Sequence, residues 1–313
     1  MFFEVQPEEV NEIKNNEIDS SEKNISQEVK KPNLKLVKWL DSKTAFLIIL
    51  LIGDSCKLFL IQRTWVNERS YNKMELKVGQ KLVLQRYFLQ KDFNRFAQIS
   101  RDDNPTHVDI EFSAKTRFGR TLAHGMHLYS IICRMLNTQA PGIGTLQYQQ
   151  EMMYPTAVYT DEVVNFELEV IDVQKDRATI NTNCLTERGV AVQGKASVFL
   201  PGWKAGFAGE NQFLSKDVTS EAKEHKGIKL GDKVQQKRVF VEKDLTDYAD
   251  LTGDQNPFIL DKKFAQAHGF QDVIIPSPFL SGMFSYLLGT ELPGRGTNWL
   301  KQNIYLPNQV TEM

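Results

Sequence analysis

A sequence repeat with a constant spacing of 152 residues is the feature that most limits how this 313-residue chain can fold. The pairs at this spacing include Phe88 and Phe240, Asp92 and Asp244, Asp102 and Asp254, Asn104 and Asn256, Pro105 and Pro257, Pro141 and Pro293, and Gln150 and Gln302. Because chance does not maintain one register over so many positions, we predict two copies of one domain.

Hydrophobic spacing within the first copy predicts a long helix followed by an antiparallel sheet. Apolar residues between Leu128 and Leu136 recur at helical intervals, so Met126 to about Asn137 is predicted to be a helix with one apolar face. Residues 164–170 alternate between apolar and polar side chains, as a half-buried strand does. We therefore predict an α+β architecture in which the sheet wraps around the helix.

The N-terminal segment, residues 1–73, combines an acidic tail with an apolar run. Residues 1–34 carry eight acidic side chains and four lysines, a composition that predicts disorder and differs from a basic mitochondrial presequence. Residues 45–53 are apolar without interruption, and Asp54 and Lys57 precede a second apolar stretch. We predict a helix within residues 44–62 that either spans a membrane or docks on a membrane surface or a protein.

Charge and cysteine content exclude several classes of protein. The 38 basic and 39 acidic residues nearly cancel, which argues against a general nucleic-acid-binding protein. The three cysteines are far apart and lack the spacing of metal ligands, so neither a disulfide framework nor a zinc site is predicted.

Two short motifs in the first copy carry chemically distinctive residues. The first runs from Phe96 to Asp109 and contains Arg-Asp-Asp-Asn-Pro-Thr-His; the second runs from Phe118 to Met126 and ends in His-Gly-Met. In this order and spacing they resemble the MaoC-like, type 2 (R-specific) enoyl-CoA hydratase and 3-hydroxyacyl dehydratase family. The resemblance covers residues 74–201 well and 229–313 partly. It implies tandem hot-dog repeats and substrates that are acyl thioesters of coenzyme A or acyl carrier protein, with no metal or other cofactor.

By position, the resemblance makes Asp102 and His107 the catalytic residues and gives Asn104 and Gly125 substrate-binding roles. Adding water to a 2-enoyl thioester needs a base for the water and an acid for C2, and histidine does either near neutral pH. The helix N-terminus at Gly125 offers N–H groups to the thioester oxygen. His124 and His127 are interpreted as structural.

Three arginines leave alternatives open. Arg101 replaces a glycine of the family pattern and either crowds the loop or contacts a coenzyme A phosphate. Arg117 and Arg120 are either solvated charges or phosphate contacts.

The second copy departs from the motif and is shorter. Ile259 stands at the position of His107, and Ser281-Gly-Met283 lacks the histidine that precedes Gly125. The predicted organisation is the segment 1–73, a catalytic repeat 74–201, a linker 202–228 and a degenerate, truncated repeat 229–313. We expect the second copy to pair with the first edge to edge, and a neighbouring chain to cover its open sheet edge.

The function predicted from the sequence is hydration of 2-enoyl thioesters, or dehydration of (R)-3-hydroxyacyl thioesters, in fatty-acid metabolism. The alternative is a non-catalytic accessory subunit of a larger complex at a mitochondrial membrane, and a hot-dog thioesterase is a third reading. A mitochondrial location, associated with the inner membrane, is favoured over a peroxisomal one. The predicted partners are protein chains that contact the tail and the second-repeat edge, and a membrane at residues 44–62.

Overall fold

The computed structural model describes residues 2–5, 34–42, 45–52, 55–61, 76–203, 224–225, 227–229, 231–306 and 309–311, the first four ranges and 224–225 by their backbone alone. These residues form two compact units, divided between Asn72 and Lys73. The predicted disorder of the acidic tail concerns residues that lie mostly outside the described ranges.

The N-terminal unit is an antiparallel sheet of four strands, which corrects the predicted helix within residues 44–62. The strands β1 (Phe2–Val5), β2 (Leu34–Ser42), β3 (Ala45–Ile52) and β4 (Ser55–Ile61) are ordered β1-β4-β3-β2. Ile52 pairs with Ser55, so two residues, Gly53 and Asp54, connect β3 to β4. Two apolar runs separated by Gly-Asp are a hairpin signal, which the helical interpretation overlooked. None of the described helices is long and apolar enough to cross a membrane.

The larger unit is built on a six-stranded antiparallel sheet and a central helix. Its first copy contains β5 (Lys81–Phe88), α1 (Gln90–Ser100), α2 (Pro105–Val108), α3 (Ile110–Ala114), α4 (Gly125–Thr138), β6 (Leu146–Met153), β7 (Glu162–Val173), β8 (Arg177–Thr186) and β9 (Gly189–Phe199). The short strands β10 (Glu224–His225) and β11 (Ile228–Lys229) form a separate hairpin. The sequence from β11 onwards supplies α5 (Glu242–Thr252), α6 (Pro257–Leu260), α7 (Lys262–Ala267), α8 (Ser277–Tyr286), a π-helical turn (Leu287–Glu291) and β12 (Lys301–Tyr305). The order within the large sheet is β12-β6-β9-β8-β7-β5.

The predicted central helix and the strand across it are confirmed. The apolar stripe of α4 is buried, with Leu128, Ile132 and Met135 at most 3 % exposed. The strand β7 buries every second residue, from Val164 to Val170, as its alternation predicts. Burial of these facing surfaces removes apolar area from water, and this effect is the main stabilising contribution to the fold.

The helices of the second copy repeat those of the first at the same spacing of 152. The helices α1, α2 and α4 begin at residues 90, 105 and 125, and α5, α6 and α8 begin at 242, 257 and 277. By this register Ser277 is the equivalent of Gly125, which corrects the alignment of Ser281-Gly-Met283 with the first His-Gly-Met motif. The domain boundaries given above stay a prediction.

A local two-fold relation joins the copies where β12 pairs with β6. Asn303 pairs with Glu151, which is its own equivalent in the first copy, and the register runs symmetrically to Lys301 with Met153 and Tyr305 with Gln149. The second copy therefore extends the sheet of the first edge to edge. Because of this symmetry, a contact between two residues at one end of the axis has a counterpart between the equivalent residues at the other end.

Candidate active site

The loop between α1 and α2 places Asp102 by turning the chain sharply. Arg101 ends α1 with a left-handed backbone, φ 68°, at the position where the second copy has Gly253, φ 78°. Glycine adopts that conformation without steric cost, so Arg101 retains the turn at some cost in strain. Asp102, immediately after the turn, is 1 % exposed, and its N–H donates to the Ser100 Oγ at 3.2 Å.

The imidazole of His107 is held in one tautomer and is set up as a base. Its Nδ1 lies 2.8 Å from the carbonyl oxygen of Leu122, so Nδ1 carries the hydrogen and Nε2 keeps its lone pair. Burial lowers the pKa of His107 below its ordinary value, opposed by the Asp102 carboxylate and the Leu122 carbonyl. The ring is therefore neutral near pH 7, as a general base requires.

The two predicted catalytic side chains come together, and a third residue joins them from the second copy. A carboxylate oxygen of Asp102 and ring nitrogens of His107 and His124 lie within 4.8 Å of one another. The hydroxyl of Ser285, on α8, donates to Asp102 Oδ2 at 2.6 Å. Sequence reasoning missed Ser285, although Ser285 is the equivalent in the second copy of Cys133 on α4, 152 residues earlier.

The other two histidines are buried and support the loop. His124 Nε2 donates to the carbonyl oxygen of Asp102 at 2.9 Å, and its ring stacks on His107 with centroids 3.8 Å apart. His127 is enclosed by aromatic rings, stacked on Phe96 and edge-on to Phe88. Burial lowers the pKa of both histidines well below the ordinary value, so both are neutral.

The cluster of Asp102, His107 and His124 has donor atoms suited to a metal ion, but its geometry does not suit one. Nitrogen lone pairs lie in the plane of the imidazole ring, and the planes of His107 and His124 are stacked at 29°. Stacked rings direct their lone pairs side by side and not towards a common point. In addition, one nitrogen of each ring already bonds a backbone carbonyl.

The N-terminus of α4 faces the same cleft as His107. N–H groups of a helix's first turn have no partner within the helix, and Gly125 is the first residue of α4 and lines the cleft. A β-carbon at Gly125 would lie 3.0 Å from the ring of Tyr154, so glycine allows Tyr154 to pack over the helix start. The second copy has Ser277 at this position.

Residues of both copies line the cleft, which encloses about 880 Å³ including its open mouth. The first copy contributes Asn104, His107, Arg117, Phe118, Leu122, Ala123, Gly125, Met126, Leu128 and residues 154–158, and the second contributes Ser285, Gly289 and residues 297–300. The lining is about equally apolar and polar, with Met126, Leu128 and Val158 among its apolar residues and Asn104 and His107 among its polar ones. This combination suits a substrate with an apolar chain and one reacting polar group.

Asn104 links the loop between α1 and α2 to the second copy. Its Oδ1 accepts from the N–H of Thr106, which caps α2, and its Nδ2 donates to the carbonyl oxygen of Thr297 at 3.4 Å. The predicted substrate-binding role of Asn104 stays a prediction, because these contacts already account for positioning the loop.

The arginines with open assignments differ in their surroundings. Arg117 lines the cleft, with its guanidinium over the ring of Phe118. Arg120 lies 3.6 Å from the Glu162 carboxylate and over Tyr159, which accounts for it structurally.

Known proteins and solved structures are similar to this chain in sequence and in fold. Residues 69–190 match the family model described as a MaoC like domain. The (R)-specific enoyl-CoA hydratase of Aeromonas caviae is 38 % identical over 129 residues, which cover 40 % of this chain and 96 % of that protein. The mitochondrial 3-hydroxyacyl-[acyl-carrier-protein] dehydratase of Arabidopsis thaliana is 28 % identical over 136 residues, 42 % of this chain and 81 % of that protein. A MaoC-like dehydratase structure, 15 % identical, matches with a TM-score of 0.60 over 76 % of this chain and 84 % of its own, which indicates a similar fold for both copies.

Proposed function

Because the chain belongs to the family of proteins with a MaoC-like domain, we propose that its first repeat interconverts 2-enoyl and (R)-3-hydroxyacyl thioesters by adding or removing water. The observation that carries the proposal is the pairing of the Asp102 carboxylate with a neutral, oriented His107 at the cleft, beside the start of α4. The named activities of the Aeromonas and Arabidopsis proteins support the same reaction class.

The proposed chemistry balances without a cofactor. Water forms a bond to C3 and loses one proton, while C2 gains one proton. His107 Nε2 accepts the proton from water, and the resulting imidazolium is the acid that protonates C2. Asp102 accepts a hydrogen bond from the same water and orients it, and its negative charge stabilises the imidazolium.

The start of α4 stabilises the charge that develops on the substrate. Attack at C3 moves electrons onto the thioester oxygen, and N–H groups at Gly125 are directed at an anion in that position. Apolar side chains of the cleft, such as Leu122, Met126 and Leu128, lower the local dielectric, which strengthens these interactions. Arg117 at the cleft is the side chain we assign to a phosphate of the carrier.

A direct assay tests the proposal. Purified full-length protein is given trans-2-enoyl-CoA and enoyl acyl carrier protein of several chain lengths, and the loss of the conjugated thioester is followed by absorbance. We expect the 3-hydroxyacyl product to be the R isomer when resolved by chiral chromatography. A well-folded preparation without activity on any of these substrates would refute the enzyme and support the accessory-subunit alternative.

We also propose a mitochondrial location, supported by the named location of the Arabidopsis relative, and a partner chain or inner membrane contacting the N-terminal unit and the β12 edge. Among the described strands, β12 pairs only with β6, and Leu300 beside it is 70 % exposed. Full-length protein should co-sediment with cardiolipin-containing vesicles or elute as a complex from mitochondria. The same behaviour after deletion of residues 1–70 would place the contact elsewhere.

A further inference from the structure

The end of α1, from which the catalytic loop departs, is held by a buried arginine of the second copy. Arg238 Nη2 donates to the carbonyl oxygen of Ile99 at 2.8 Å, and Nη1 donates to that of Ser100 at 3.3 Å. The side chain of Arg238 is 2 % exposed. Carbonyl groups at a helix C-terminus lack partners within the helix and carry partial negative charge, so a guanidinium is well suited to bind them.

The guanidinium is fixed in place by its own copy. Asp244 Oδ1 accepts from Arg238 Nη2 at 3.0 Å, and the guanidinium lies 4.6 Å from the ring centre of Phe240 and 4.7 Å from that of Phe279. A rigid cation over aromatic rings loses little freedom when it binds the carbonyls. The fixed guanidinium of Arg238 thus holds the C-terminal end of α1 in position.

The two anchored carbonyl groups belong to residues two and three positions before Asp102. Ser100, whose carbonyl Arg238 binds, also accepts the N–H of Asp102 through its hydroxyl. Arg101 lies between them in the left-handed conformation, which a non-glycine residue adopts only when its surroundings hold it there. On the basis of the function proposed above, we propose that Arg238 is a positioning residue that fixes Asp102 relative to His107.

The chain contains a matched control at the equivalent position. Arg86, 152 residues before Arg238, donates to the carbonyl oxygen of Leu251 at the end of α5, and its guanidinium lies over Phe88. Leu251 is the equivalent of Ile99, so the contact is the same in kind. However, α5 leads to Asp254, which has Ile259 in place of a catalytic histidine.

The experiment compares Arg238→Gln with Arg86→Gln in the full-length protein. We expect both changes to lower the Tm, because each leaves a helix-end carbonyl without its donor, and Arg238→Gln to lower it more, because it affects two carbonyls and Asp244. Arg238→Gln should lower kcat on the order of tenfold, as misplacement of a reacting group does, with KM nearly unchanged. Arg86→Gln should leave kcat unchanged, and Arg238→Lys should recover part of the loss because it restores a cation.

Hydrogen exchange provides a readout that does not depend on turnover. Arg238→Gln should accelerate amide exchange in residues 101–107 and leave 253–259 protected, whereas Arg86→Gln should do the reverse. Equal effects of the two changes on kcat and on both segments would overturn the inference. If the wild-type protein is inactive, the proposed function fails, but hydrogen exchange still tests whether Arg238 holds the loop. If Asp102→Asn abolishes activity and Arg238→Gln does not change it, the proposed function stands and the positioning role of Arg238 fails. If Arg238→Gln does not fold, Arg238→Lys provides the comparison.

Discussion

Asp102 and Asp254 occupy equivalent positions at the two ends of the local two-fold axis, yet only Asp102 lies beside a base. Four equivalent positions around these carboxylates carry different residues. The residue at the Asp102 end is given first and the one at the Asp254 end second: His107 and Ile259, Ser285 and Cys133, Gly289 and Asn137, and Gly125 and Ser277. At the Asp102 end these residues leave a cleft of about 880 Å³, and at the Asp254 end they leave a smaller one of about 390 Å³. The same scaffold therefore supports an open end at Asp102 and a more tightly packed end at Asp254, and a few side chains determine the difference.

The carboxylates at the two ends have different hydrogen-bond donors, Asn137 for Asp254 and Ser285 for Asp102. Asn137 Nδ2 donates to Asp254 Oδ2 at 2.8 Å, so Asp254 has a partner although Ile259 replaces the histidine. A β-carbon at Gly289, the equivalent of Asn137, would lie 2.8 Å from Asn104 Nδ2. The absence of a side chain at Gly289 thus keeps the space beside Asn104 open.

The largest effect should come from changing the two side chains proposed to act on water at the open end. Asp102→Asn removes the negative charge and replaces one acceptor oxygen with an NH₂ donor, and His107→Ala removes the proposed base. Each should lower kcat on the order of 10²–10⁴-fold, the usual contribution of a positioned acid or base. The combined variant should lose little more than either, since both residues act on one water. Asp254→Asn should leave turnover unchanged, and a comparable loss there would mean that the active end has been misassigned.

The next test uses the pH dependence of stability at the packed end. Burial raises the pKa of Asp254 from 3.8 to about 6, opposed by hydrogen bonds from Asn137 and Asn256. A raised pKa means that the folded state favours the proton, so this stabilisation is present below pH 3.8 and lost as pH rises through 6. The change amounts to about 3 kcal/mol, at 1.36 kcal/mol for each pH unit.

Asp254→Asn should remove this pH dependence. Urea unfolding at several pH values, with wild type minus variant as the measured difference, isolates it from other groups. Asp250→Asn, at an exposed position nearby, controls for the loss of a carboxylate. A difference that does not vary with pH would mean that Asp254 is not buried as described.

Much of this comparison was accessible from the sequence, and the reasons for the omissions are physical. The helix predicted for 126–137 spans 125–138, because its apolar stripe and the chain breaks around it are local signals. The approach of Asp102 and His107 was predictable because one short loop carries both residues. Ser285 lies 183 residues from Asp102, and no local pattern predicts such a contact. The spacing of 152 does indicate the position, because it relates Ser285 to Cys133 and Gly289 to Asn137, two residues on the central helix α4. A helix was predicted within residues 44–62 because hydropathy does not distinguish an apolar strand from a helix segment.

One substitution at Gly289 should be enough to block the cleft at the open end. Gly289→Asn introduces the residue that fills the packed end, and it should push Asn104 aside and disturb the loop behind it. We expect kcat/KM to fall by about 10²-fold, the effect of moving a catalytic group by about 1 Å. Asn137→Gly is the matched change at the other end and should lower stability without lowering turnover. Unchanged turnover in Gly289→Asn would mean that the cleft accommodates the side chain and that Gly289 does not define it.

The smallest expected effect concerns the hydroxyl of the second copy that donates to the Asp102 carboxylate. Ser285→Ala removes the 2.6 Å hydrogen bond to Asp102 Oδ2, and a bond to a charged group contributes about 1.5–3 kcal/mol. Because solvent or substrate can replace part of it in the cleft, we expect kcat to fall by about tenfold. Cys133→Ala is the equivalent change at the packed end, where the thiol donates to Gln147 at 3.2 Å, and it should leave kcat unchanged. Ser285→Cys tests whether the hydroxyl itself matters, since a thiol is a weak donor of similar shape. If Ser285→Ala and Cys133→Ala lower kcat equally, the second copy contributes packing alone, and the difference between the two ends lies in the imidazole of His107.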